Sequence, residues 1–261
     1  MKASFSLKIS GERKAAMAVI AGIMGTQVVY TKAPRFAYEA GNWSIDRDGV
    51  LTSPAFPIRE ADFHANIAGA LAEAGFAAEG TLCVTVCPES FDAACFGNLE
   101  ALLAAKATLI RHALGAEPSA RLAEDGFELP FFPAALESPA VLAALQFSMR
   151  AVSLAVSQKQ VRAKERPVEN EKYAMRCFLL RIGMIGPEYA AARKELLRRL
   201  SGDASFKSGV RAARDGPAEN CTFCVYAVSM RGEGSDLFDR WFCEKRQEYV
   251  SEDDVCEAFK R

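Results

Sequence analysis

Apolar and polar residues alternate at the start of the chain. Phe5, Leu7 and Ile9 are separated by Ser6 and Lys8, a period of two that predicts a half-buried strand. Over residues 12–24 the period lengthens to that of a helix, which Ser10-Gly11 opens and Gly25 stops. Residues 27–30 and 35–39 are rich in β-branched and aromatic side chains and flank Lys32-Ala33-Pro34, the pattern of a hairpin. Trp43 and Ile45 alternate with Ser44 and Asp46, and Asp48-Gly49 marks a turn before Val50-Leu51-Thr52. After a connector at 54–57, a helical stripe of Ala65, Ile67, Ala68, Leu71 and Ala72 runs from just past Ile58-Arg59 to Gly75.

A second round follows. Leu82, Val84 and Val86 alternate with Cys83, Thr85 and Cys87. One long helix is then predicted over 91–114, from Leu99, Leu102, Leu103, Leu109, Ile110 and Ala113, with Gly115 closing it. Residues 120–123 and 127–131 flank the turn Glu124-Asp125-Gly126. Both rounds read strand, amphipathic helix, glycine stop, hairpin. The fold expected is α+β: a mixed or antiparallel sheet from two strand–helix–hairpin units, helices on one face, followed by a helical section. The same order also arises by chance in α+β proteins.

The helical section begins at Ser138-Pro139, where an N-cap residue precedes a proline in the first turn. Leu142, Leu145, Met149, Val152 and Val156 follow at spacings of three and four, a short heptad seam that packs within a bundle or joins two copies. A polar, basic linker at 159–167 leads to two more helices. That at 169–182 is apolar nearly all round, which suits the centre of a domain, whereas that at 187–200 is amphipathic and basic. In the tail, 221–229 reads as strand, 231–235 as turn, and 237–250 as helix with Phe238, Trp241 and Phe242. Three regions result: an α/β region at 1–135, a helical one at 136–209 and an accessory segment at 210–261.

Composition changes this picture little. Half of the 261 residues are hydrophobic and a quarter charged, as in ordinary globular chains. The longest apolar run, 15–24, is well short of the ~20 residues of a membrane span, and 1–8 lacks a signal-peptide core. A cytoplasmic protein without a membrane partner is expected. Charge adds more. Net charge is −1, yet residues 159–215 hold 14 Lys and Arg against 7 Asp and Glu, between two mildly acidic flanks.

Within that segment Arg193, Lys194, Arg198 and Arg199 fall on or near the solvated side of the second helix, while Tyr189, Leu196, Leu197 and Leu200 face inward. Lys207 and Arg211 follow closely. Two helices joined by a short glycine-containing turn have the form of a helix-turn-helix, and guanidinium groups suit phosphates and guanine edges. The same residues also fit an αα-hairpin with a solvated basic face, or a face that meets an acidic protein. Other chemistry is sparse. Cys221 and Cys224 form the one Cys-x-x-Cys, without a second close pair or a nearby His to complete a zinc site. His64 and His112, the two histidines, lie in helical patterns without motif context, and no glycine-rich phosphate loop occurs. No cofactor, metal or catalytic set is expected, so the chain reads as non-enzymatic.

Residues 168–209, VENEKYAMRCFLLRIGMIGPEYAAARKELLRRLSGDASFKSG, resemble a group of uncharacterised bacterial proteins labelled "virulence-related protein", found in integrative and conjugative or phage-like elements. Ala33-Pro34 with Phe36-Ala37-Tyr38, Ile45-Asp46-Arg47-Asp48-Gly49 and the helix around 99–114 carry the resemblance over about residues 1–210, and 216–261 has no counterpart. It brings no catalytic residues. It implies an accessory protein of a mobile genetic element, acting by binding through its basic helical face. DNA or RNA is the first partner expected; the alternative is a protein-binding module that inhibits a host defence protein, and a homodimer through the 142–156 seam is a further expectation.

Overall fold

The computed structural model of the chain describes residues 1–165 and 167–205, and beyond them the backbone of three short strands. The chain divides into two compact units, Met1–Gly209 and Val210–Arg261.

In the first unit, strand β1 (Lys2–Ser10) is followed by helix α1 (Arg13–Met24) and by β2 (Val29–Tyr30), β3 (Tyr38–Ala40), β4 (Trp43–Ile45) and β5 (Val50–Thr52). A 3-10 turn at Ile58–Glu60 leads into α2 (Ala61–Glu73). Then come β6 (Ala77–Cys87), α3 (Ala93–Ala104), α4 (Ala107–Leu114), β7 (Arg121–Leu122) and β8 (Phe127–Pro133). Helices α5 (Ser138–Ser157), α6 (Glu171–Arg181) and α7 (Ala190–Leu197) complete the unit, with a 3-10 turn at Pro187–Tyr189 ahead of α7.

All eight strands join one antiparallel sheet in the order β2-β3-β4-β5-β1-β6-β8-β7. The first strands of the two rounds, β1 and β6, pair at its centre from Lys2↔Cys87 to Ser10↔Ala77. On the outer side of each lies the last strand of its own hairpin, β5 beside β1 and β8 beside β6. Each round thus folds strand, helix, hairpin, with its last strand returning to the first. The fold is α+β, with helices packed against an open antiparallel sheet.

Alternation decides which face the helices cover. Phe5, Leu7 and Ile9 of β1 and Leu82, Val84 and Val86 of β6 are buried, whereas Ser4, Ser6, Cys83 and Thr85 are half-buried on the other face. Burial of a large apolar side chain contributes roughly 1.5–3 kcal/mol, so one buried row per strand fixes the register. The deepest helix is α5, with 12 of its 20 residues buried. It packs on β1, β6 and β8 and against α2, α3 and α7.

The position of α5 decides how this region packs. Residues 136–165 and 167–205 share one core with 1–135. The seam residues Leu145, Met149 and Val152 are at most 1 % exposed, so the stripe packs within the subunit, the first of the two uses expected of it. The helix expected at the centre of the domain, 169–182, is corrected. Helix α6 buries Met175, Phe178 and Leu179 on one side and exposes Arg176 and Cys177 on the other, so the centre of the domain is α5. By length and composition α5 is the one described helix that qualifies for a membrane span, but its apolar residues are the core of this unit.

The helix expected over 91–114 is two helices bent by 68°. Lys106 leaves helical conformation, with φ −132° and ψ 16°. The bend lets Leu99, Leu102 and Leu103 of α3 and Leu109, Ile110 and Ala113 of α4 all reach the core. The Glu165 carboxylate accepts from the backbone N–H of Thr108 at 2.8 Å, taking one of the donors that a new helix start leaves free.

In the second unit, β9 (Ala227–Met230), β10 (Arg240–Cys243) and β11 (Glu248–Val250) form an antiparallel sheet in the order β11-β10-β9. The helix expected over 237–250 is therefore corrected at 240–243 and 248–250. Trp241, Phe242, Tyr249 and Val250 are strong strand formers, and spacings of three and four in so short a run do not distinguish a helix from a strand.

Candidate functional site

The basic helical hairpin is built from the N-cap of α6 outward. The Asn170 side chain accepts from Tyr173 N–H at 3.1 Å and donates to the Asp203 carbonyl at 2.8 Å. The chain after α7 is thereby strapped across the start of α6. Lys172 N–H donates to the Ser201 carbonyl at 3.0 Å and Arg176 to that of Ala204 at 3.0 Å.

The candidate residues play different parts. Half-buried Arg193 donates to the carbonyls of Met184 at 2.8 Å and Gly186 at 3.0 Å, which locks the turn between the helices. Arg199 donates to the Leu114 carbonyl at 3.2 Å, at the C-terminal end of α4, where a cation complements the helix dipole. Arg198 pairs with Glu195 at 2.8 Å on the surface. Lys194 is exposed and has no partner within the described residues. Lys207, Arg211, Cys221 and Cys224 lie outside the described residues. The structure thus brings Lys194 and Arg198 to one solvent-facing side of α7, and puts Arg193 and Arg199 to work as backbone clamps.

Beside α7 lies a cleft of about 390 Å³. Phe132, Ala140, Ala144 and Leu196 provide apolar walls, while Arg198 and Arg199 stand with Glu137 and Glu195 among its polar lining. Deeper in the hairpin, the Arg150 guanidinium donates to the Tyr189 hydroxyl through Nε at 2.8 Å and also through Nη2. Arg150 has no carboxylate partner among the described residues. Neither feature was legible in the sequence, because each depends on how α5 and α7 meet.

A second cluster joins the two helical ends. His112 Nδ1 lies 2.5 Å from a Glu171 carboxylate oxygen, and the Ser201 hydroxyl donates to the other at 3.2 Å. The contact with His112 holds the Glu171 carboxyl below its ordinary value against the opposing effect of burial, and the Ser201 contact adds a smaller pull in the same direction as His112. A nucleophilic serine must contact the imidazole that takes its proton. Here the carboxylate stands between them, so the geometry ties α4, α6 and the strap together rather than activating a hydroxyl. Thiol chemistry has no better support: burial, with the Glu128 charge, pushes Cys83 up to about 11. Among the described residues no three His, Cys, Asp or Glu side chains converge on a metal position.

His64 is a different case. It is 4 % exposed and stacks on Phe56, ring centroids 3.8 Å apart, with Trp43 at 5.5 Å. Its Nδ1 and the Trp43 Nε1 are buried without a partner. Burial lowers its pKa to about 4, against a smaller opposing effect of Glu60. It is a core residue.

Comparison with protein-family models, curated proteins and solved structures returns no match for this chain. The functional reading therefore rests on the residues themselves.

Proposed function

We propose that this chain is a non-catalytic binding protein that engages a polyanion, nucleic acid first, through the cations of α6, α7 and the segment before them. The observation that carries the reading is where these charges go. Lys159, Arg162, Lys164, Lys172, Arg176, Arg181, Arg193, Lys194 and Arg199 have no carboxylate within 4.0 Å among the described residues, and Arg198 alone is paired. A folded surface that leaves this much positive charge unneutralised repels itself and attracts phosphate. Arg193, Arg199 and Arg176 shape the hairpin, and Lys194, Arg198, Lys172 and Arg181 are the contacts the ligand meets. Service to a bacterial mobile element is the setting that the family resemblance implies.

The test is fluorescence anisotropy with labelled duplex and single-stranded DNA and RNA. Affinity is expected to fall between about 50 and about 200 mM salt, with a log–log slope near −0.9 per phosphate neutralised on duplex DNA. Lys194→Ala/Arg198→Ala is expected to reduce that slope by about 2. No binding at the lowest salt, to any of the probes, refutes the proposal.

A further inference from the structure

Five of the eight large apolar side chains that stand exposed among the described residues lie within 14 residues: Ile23, Met24, Val29, Tyr30 and Phe36. They belong to the end of α1, to β2 and to the loop after it. Strand β2 is an edge of the eight-stranded sheet. Tyr30 and Tyr38 face each other across β2 and β3, while Thr31 N–H donates to the Ala37 carbonyl at 2.8 Å. In an antiparallel ladder, hydrogen-bonded and non-hydrogen-bonded pairs alternate, so Tyr30 is a non-bonded pair and its N–H and C=O point away from the sheet. The strand is short, two residues, which limits how much can pair with it, but it carries no proline, no bulge and no charge.

The surroundings add direction and charge. Arg13, in the first turn of α1, donates to the Phe36 carbonyl at 3.1 Å and to that of Asp46 at 2.8 Å, and its guanidinium lies 5.4 Å from the Tyr38 ring centre. The chain from β2 to Phe36 therefore runs back beside α1, from near Met24 to Arg13. Phe36 is the one non-glycine residue with positive φ among the described residues, at 49°, a conformation that a bulky residue adopts at a cost. That conformation presents an aromatic ring 41 % exposed at one end of the edge. Arg13, Lys14, Lys32 and Arg35 lie in this stretch, bordered by Glu12 and Glu39; Arg35 pairs with Glu39 at 3.2 Å, while Lys14 and Lys32 have no carboxylate within 4.0 Å among the described residues.

We propose that β2 is the docking edge for an extended acidic segment of a partner protein, which adds to the sheet as a further strand. Its backbone pairs with the outward N–H and C=O of Tyr30, its apolar side chains rest on Ile23, Met24 and Phe36, and its carboxylates meet Lys32 and Lys14 and compete with Glu39 for Arg35. Charge complementarity selects this occupant. A second copy of the chain, paired antiparallel through Tyr30, would set Lys32 opposite Val28 and offer it no carboxylate. Nucleic acid would use the cations and rings but has no use for a free strand edge or for the aliphatic side chains of Ile23, Met24 and Val29. The surface is separate from the cationic hairpin of α6 and α7.

The test uses the full chain and a fluorescein-labelled peptide of about ten residues, a typical strand length, alternating Glu with Val and Phe. The acidic peptide is expected to bind and its Lys-for-Glu counterpart not to. Lys32→Glu/Arg35→Glu should weaken binding by about tenfold or more. Tyr30→Pro removes the outward donor without touching the β2–β3 ladder and should abolish binding, whereas Tyr30→Val keeps the backbone and should retain most of it. Lys194→Ala/Arg198→Ala should leave peptide affinity unchanged. The proposal is overturned by any of four results: no binding of the acidic peptide at low salt, equal binding of the basic one, no effect of Tyr30→Pro, or binding of oligo-dT that is lost in the same variants.

Discussion

Replacing His64 by Phe tests how the core treats a titratable ring. In the folded chain the imidazole lies between Phe56 and Trp43 with Nδ1 unpartnered, and its pKa is lowered from 6.5 to about 4. Between those two values the unfolded chain binds a proton that the folded chain does not, so stability falls as pH falls. The contribution is fully present above pH 6.5, drops by about 2 kcal/mol by pH 5, and reaches a loss of about 3 kcal/mol near pH 4, below which this group adds no further slope. His64→Phe removes the proton site and the unpartnered nitrogen while keeping an aromatic ring of similar size for the stack. Urea unfolding of both proteins at pH 7.5, 6, 5 and 4 measures the difference. Carboxylates that titrate below pH 5 act on both chains and cancel. The variant is expected to gain about 2 kcal/mol relative to the parent on going from pH 7.5 to pH 5. Parallel pH profiles for the two proteins would refute the reasoning, because His64 would then titrate alike in the folded and unfolded states.

Neighbouring residues of the basic helix should separate clamp from contact. Arg193→Ala is expected to cost about 1.5–3 kcal/mol in chemical denaturation, because two carbonyls lose a charged donor, while Lys194→Ala changes stability by less than about 0.5 kcal/mol. Equal effects at the two positions would contradict these roles. At Gly126 an added Cβ would run into the Val86 carbonyl, so Gly126→Ala should destabilise by about 1–3 kcal/mol. A thermal midpoint unchanged in that variant would show that the β6–β8 contact yields more readily than its geometry implies.

Much of the sheet was legible in the sequence because its signals are local. Phe5, Leu7 and Ile9 fall on one face of a strand whatever that strand pairs with, and Gly25 and Gly115 stop their helices by adopting left-handed conformations. What period and punctuation do not carry is the partner of each element. The break at Lys106 depends on two core-facing stripes and on Glu165, more than fifty residues away, as the new cap. The central place of α5 could not be told from that of α6, since each carries apolar residues around much of its circumference. At the candidate site, charge density was visible in the sequence, but the destination of each guanidinium was not. Arg193 and Arg199 find carbonyls at 186 and 114 only after the helices have packed. The exposed edge at Tyr30 was hidden for the same reason: its side chain suits a strand, and only the sheet order leaves its backbone open.

The pairing of β1 with β6 also sets the order in which the molecule can be completed during synthesis. Lys2 meets Cys87, and Ser10 meets Ala77. Once made, β1 therefore waits through more than sixty further residues for one of its two neighbours. Until then it has β5 on one flank and a bare hydrogen-bonding rim on the other, in the middle of what will become the core. Contacts this distant in sequence slow folding, and an open rim invites pairing with other chains. The nascent chain is at its most vulnerable between the emergence of β5 and that of β6. Helix α2 is made in that interval and sets His64 against Trp43 of β4 and against Phe56 before the rim is closed.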